Sequence, residues 1–150
     1  MSERIFPVGT SAEIVWQVER KWCTQRGEWH IFSTPSMVQL AERAAIESLA
    51  PILGVGQITV GTRVEIQHLA PTLEGMSVRA VATLKAVDGA RLTFAVEILD
   101  TTGKVGEALH ERFVLDLDRY TRRLEKKRAE VEGKVKSESI PQADEWRAPA

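Results

Sequence analysis

The chain has 150 residues, 43% of them hydrophobic and 27% charged, which fits one soluble globular domain with a sizeable core. A formal net charge of −1 supplies no field to draw nucleic acid or an anionic membrane, and a single cysteine excludes an intrachain disulfide framework. No apolar run is long enough to span a bilayer and "MSERIFPVGT" lacks a signal-peptide core, so the expected compartment is the cytoplasm.

In chain order, "AEIVWQVE" alternates with Ile14, Trp16 and Val18 on one face and predicts a first strand. Arg20 to Ser33, carrying Trp22, Trp29 and Phe32, reads as an irregular connection. "FSTPSMVQLAERAAIESLAP" predicts a helix with Thr34 as N-cap, Pro35 at the first helical position and Pro51 as the stop. At about 100° per residue, Leu40, Met37, Ala41, Ala45, Val38, Leu49 and Ile46 form an apolar arc. Glu42 falls inside that arc, with Val38 and Ile46 four positions away on either side and no helical cation to pair with.

"GVGQ" then turns into a long strand, "ITVGTRVEIQH", whose even positions Ile58, Val60, Val64 and Ile66 are apolar and whose last inward position is His68. "MSVRAVATLKAV" and "RLTFAVEILD" form a hairpin about Asp88-Gly89, and "VGEALHERFVLDL" makes a fifth strand. One helix followed by antiparallel strands without crossover helices is an α+β layout, the helix lying on a curved sheet. The expected organisation is a domain over 1–117 and a charged tail over 118–150, helical at first and disordered by "IPQADEWRAPA". Arg122, Arg123, Lys126, Lys127 and Arg128 are interleaved with Glu125, Glu130 and Glu132, so the tail reads as solvated rather than as an RNA or lipid surface.

Glu42 and His68 are therefore two titratable residues whose patterns both point toward the sheet–helix interface, where polar groups need partners and acid–base sites occur. The bland readings are a helix-flank carboxylate reaching for solvent and a core-edge histidine bonded to a backbone carbonyl. Thr34 adds a hydroxyl at a helix N-terminus, where developing negative charge is favoured. Other constellations fail. His30, His68 and His110 lack metal-ligand spacing, Cys23 has no base placed beside it, and Gly54 and Gly56 form a bare GxG after a helix rather than a strand. His110 and Arg112 share one strand face, with Glu111 on the other.

The spacing of Thr34, Glu42 and His68, with "SMV", "LAP", "VGT", "VDGARL" and "HER", resembles the fluoroacetyl-CoA thioesterase family of the hotdog-fold superfamily from about Phe32 to Leu115. The resemblance implies a five-stranded curved antiparallel sheet wrapped around one central helix, and an acyl-CoA thioesterase acting on a small or medium acyl group without metal or cofactor. It further implies Glu42 as nucleophile or general base at the thioester, Thr34 as a hydrogen-bonding partner and His68 as polariser of substrate or water. Gly61, through its N–H, and Arg112 are implied to bind the acyl-CoA, and the subunits to pair edge to edge as a homodimer or larger assembly. The family's aromatic lid, between the first strand and the helix, has no residue-by-residue match in "RKWCTQRGEWHIF", so fluoroacyl selectivity is not implied. A hotdog hydratase or dehydratase and a non-catalytic acyl-CoA-binding domain are the alternatives.

Overall fold

The computed structural model describes residues 6–133. Strands β1 (Ser11–Gln17), β4 (Gln57–His68), β5 (Ser77–Asp88), β6 (Arg91–Asp100) and β7 (Gly103–Asp116) form one antiparallel sheet in the order β1-β5-β6-β7-β4. Helix α1 (Thr34–Leu49) packs on all five strands. Its contact face is Met37, Leu40, Ala41, Ala44, Ala45 and Leu49, all buried, and the three alanines let the helix approach the sheet closely. The sheet answers with Val78, Ala80, Ala82 and Leu84 from β5 and Leu92, Phe94, Val96 and Ile98 from β6. The order of elements and the five-stranded sheet agree with the sequence reading.

The irregular connection before the helix is in fact structured. A short 3-10 turn (Arg20–Trp22) leads into a hairpin of β2 (Cys23–Arg26) and β3 (Trp29–Phe32), a sheet of its own. Its two-residue turn is possible because Gly27 takes a φ of 59°, which side-chain-bearing residues resist. The hairpin is tied down by Phe32 N–H donating to the Thr72 carbonyl at 2.8 Å and Ser33 N–H to the Trp22 carbonyl at 2.9 Å, while Trp22 stacks on Trp16 of β1.

Two further expectations are corrected. Ser33, not Thr34, is the N-cap of α1: its hydroxyl accepts the Ser36 N–H at 3.3 Å, and Thr34 is already helical. And β4 does not keep one inward register. Gly61 pairs with Arg112 and Arg63 with Glu111, so Thr62 is an extra residue forming a bulge. Beyond it the even positions Val64, Ile66 and His68 face the helix as expected, but before it the odd positions do. Thr59 and Gly61 therefore point inward, and Ile58 and Val60 lie on the other face.

The second compact unit begins at Leu117, where α2 (Leu117–Gly133) carries the charged sequence "LDRYTRRLEKKRAEVEG". The expected disorder of "IPQADEWRAPA" lies outside the described residues. No described helix is long and apolar enough to cross a membrane.

Candidate active site

Because Ser33 takes the capping role, the Thr34 hydroxyl is released for another partner. It lies 2.8 Å from Nδ1 of His68, the last residue of β4. The approach is fixed from below by Met37, one turn along the helix, which packs against Gly106, the β7 partner of His68. A Cβ on Gly106 would come within 2.5 Å of the Met37 sulfur and 3.2 Å of the Gln67 carbonyl oxygen, so only glycine lets the helix start sit this close to the sheet.

Eight residues along α1, about 12 Å at 1.5 Å per residue, Glu42 belongs to a second group. The cation that its own helix lacks comes from β7: Arg112 Nη1 donates to Glu42 Oε2 at 3.3 Å. Arg112 is the buried member of the pair, its side chain 5% exposed against 39% for Glu42. The carboxylate is thus not desolvated in the interface but presented at its edge. A half-exposed ion pair of this kind contributes at most about 1 kcal/mol to stability, so the guanidinium is held chiefly by its other bonds. Nε donates to Thr59 Oγ1 at 2.9 Å, Nη2 to the Thr59 carbonyl at 3.0 Å, and Nη1 also reaches Nε2 of His110 at 3.1 Å. Burial pulls the Arg112 pKa below its ordinary value, against the opposing pull of Glu42.

Gly61 lies directly over this carboxylate. A Cβ there would overlap Glu42 Oε2 and press on Arg112 Nη1 at 3.2 Å and His110 Cε1 at 3.3 Å. The five residues singled out from sequence thus fall into two hydrogen-bonded groups along one helix: Thr34 with His68, and Glu42 with Arg112 beneath Gly61. The sequence reading missed Thr59 and His110. Thr59 was hidden by the bulge, which puts an odd position on the site face; His110 was visible as the residue sharing a face with Arg112.

The remaining candidates stay idle. The Cys23 thiol donates to the Glu19 carbonyl at 3.4 Å, and burial raises its pKa, so it is held as a thiol rather than a nucleophilic thiolate. Among the described residues no group of histidine, cysteine and carboxylate side chains could hold a metal ion.

Residues 12–118 match the model of the family described as fluoroacetyl-CoA-specific thioesterase. A relative of that name from Streptantibioticus cattleyicolor is 34% identical over 97 residues, covering 65% of this chain and 70% of that protein. Among solved structures, a thioesterase superfamily member from Thermus thermophilus has a TM-score of 0.81 at 26% identity, covering 87% of this chain and 99% of that one. The solved fluoroacetyl-CoA thioesterase has a TM-score of 0.74 at 28% identity, covering 81% and 97%.

A five-stranded antiparallel sheet wrapped around a helix that carries the polar groups is, with these neighbours, a hotdog-fold acyl-CoA thioesterase. Within that class, the chain belongs to the fluoroacetyl-CoA-specific thioesterase family.

Proposed function

We propose that this thioesterase hydrolyses small acyl-CoA esters with Glu42 as its base, Thr34 and His68 as its carbonyl-polarising pair, and Gly61 and Arg112 as binding groups. The observation that carries the assignment is the one-sided grip on Glu42. Arg112 takes Oε2, while Oε1 has no bond among the described residues and is the oxygen presented to an incoming water. In this reading Glu42 removes a proton from water as the water oxygen bonds to the thioester carbonyl carbon. The resulting oxyanion needs a donor within about 3 Å. The Thr34–His68 pair, eight residues along α1 from Glu42, supplies it in this reading only where a second copy of the chain completes the site. The tautomer that serves has the Thr34 hydroxyl donating to Nδ1 and the proton on Nε2. Collapse of the intermediate breaks the C–S bond, and the CoA thiolate leaves and takes up a proton. The carboxylic acid is the second product.

Tight packing of Met37 on Gly106, where an added Cβ would come within 2.5 Å of the Met37 sulfur, supports a short acyl group. Fluoroacetyl-CoA is the substrate in the relative's name, and it belongs on the substrate panel beside acetyl-, propionyl- and longer acyl-CoAs. The working unit in this proposal is a cytoplasmic homodimer. β4, which carries Gly61 and His68, is an edge strand of the sheet, and an exposed edge is a ready template for a second copy.

The test is thiol release across that panel by wild type and Glu42→Gln, with melting temperature recorded for both. The amide keeps shape and a hydrogen-bonding oxygen but cannot accept the proton, so kcat on the best substrate should fall by about two orders of magnitude or more while Tm holds. A folded variant with wild-type turnover returns Glu42 to the helix flank.

A further inference from the structure

We propose that His110 is a positioning residue for this reaction: as a neutral ring protonated on Nδ1, it aims the Arg112 guanidinium at Glu42. The inference rests on Glu42 being the catalytic carboxylate, and it extends the site to a residue that touches neither substrate nor water.

His110 is fully buried, and both of its ring nitrogens are engaged. Nδ1 lies 2.8 Å from the Arg63 carbonyl oxygen, which can only accept, so Nδ1 must carry a proton. Nε2 lies 3.1 Å from Arg112 Nη1, which can only donate, so Nε2 must be bare. The two neighbours therefore select one tautomer of one charge state. A proton on Nε2 would set N–H against N–H and leave Arg112 without this acceptor.

The same Nη1 that serves His110 donates to Glu42 Oε2 at 3.3 Å, so the imidazole and the carboxylate lie at two corners of one guanidinium nitrogen. Thr59 fixes the other two nitrogens, and His110 supplies the remaining constraint on rotation. The charged groups around the ring are Arg112 and Glu111 on its own strand and Glu42 on α1; from β4 it meets the Arg63 carbonyl, and its partner on β6 is the uncharged Phe94. Burial agrees with the geometry, pushing the imidazole pKa below its ordinary value and so favouring the neutral ring.

Two substitutions separate positioning from packing. In His110→Gln the amide oxygen reaches the place of Nε2 and can still accept from Arg112. In His110→Asn the amide sits at the place of Nδ1, satisfies Arg63 and leaves Arg112 unmet. Positioning predicts that Asn loses roughly 10- to 100-fold in kcat, the scale of a 1 Å misplacement, with KM changed less than about threefold, while Gln retains most of the turnover. Equal kcat losses in the two variants, or an Asn variant with wild-type kcat, would overturn the proposal.

Should neither variant fold, the imidazole nitrogen resonances of the wild-type protein decide. A bare Nε2 and protonated Nδ1 near neutral pH are expected, and a proton on Nε2 refutes the assignment. Failure of the catalytic reading looks different: there Glu42→Gln itself turns over normally.

Discussion

Gly61 shows how a single hydrogen atom can decide a site. The position has open backbone geometry, yet its missing Cβ is the space that the Glu42 carboxylate occupies. Gly61→Ala should leave the fold intact, because the nearest obstructing atom is the tip of a half-exposed carboxylate rather than backbone. It should still displace Oε2 from its place and lower kcat by about tenfold or more, given the steep cost of misplacing a reacting group. Steady-state kinetics with a melting curve checks both halves of that expectation; unchanged kcat would show that the carboxylate has room to spare.

A second residue-scale consequence follows from His110, whose pKa burial lowers from 6.5 in the folded chain. Below about pH 6.5 the unfolded chain takes up a proton that the folded one refuses, so stability falls as pH drops through that value toward the folded pKa. Asp100 acts elsewhere on the scale. Burial pushes its carboxyl up, but hydrogen bonds from Thr102 and Thr72 outweigh this, and its share is lost only below its ordinary 3.8. Tm measured from about pH 8 to 5 should therefore decline more steeply in wild type than in His110→Gln; parallel curves would mean that His110 titrates normally in the fold.

At the scale of elements, the packing of α1 on β7 sets the distance between Thr34 and His68. Gly106→Ala would bring a methyl to 2.5 Å from the Met37 sulfur and 3.2 Å from the Gln67 carbonyl, and the second of these is backbone that cannot swing away. Overpacking of this kind costs about 1–3 kcal/mol, each kcal/mol lowering Tm by roughly 2–4 °C at this size. Turnover should drop with it as the helix start lifts from His68. Wild-type Tm and kcat would show that the Met37 side chain absorbs the change.

What was legible in the sequence sorts by element too. The arc of α1, the odd carboxylate within it, the Asp88-Gly89 hairpin and the inward end of β4 at His68 all follow from regular periodicity. The β2–β3 hairpin escaped because its four-residue strands are too short to establish an alternation, and its turn depends on Gly27 in an otherwise mixed segment. Thr34 was placed one position too early, since Ser33 is an equally good cap and local sequence does not decide between them. Residue types marked out the site, whereas its grouping depended on long-range pairing: Arg112 meets Glu42 across 70 positions of chain.

For the whole molecule, the sheet order leaves β1 and β4 as the edges, and β4 is the long one, at 12 residues. Gly61 and His68 lie along it in exposed or half-buried positions, as expected of a surface completed by a second copy. Light scattering at micromolar concentration should therefore give at least twice the 16.7 kDa chain mass. A monomeric mass together with full turnover would show that one chain suffices.

The extra residue in β4 acts like a half-step inserted into a screw thread. Were Thr62 to take a regular place in the ladder instead of bulging, Ile58 and Val60 would turn toward the helix with Val64 and Ile66, and the strand would read as a plain hydrophobic stripe. Such an unbulged strand would gain apolar surface for the core while turning away Thr59, which clamps the arginine, and Gly61, which makes room for the carboxylate. The irregularity lets one strand run on two phases, one matched to the oily interior and the other to the reaction, and it is this step rather than the apolar pattern that turns Thr59 and Gly61 toward the helix.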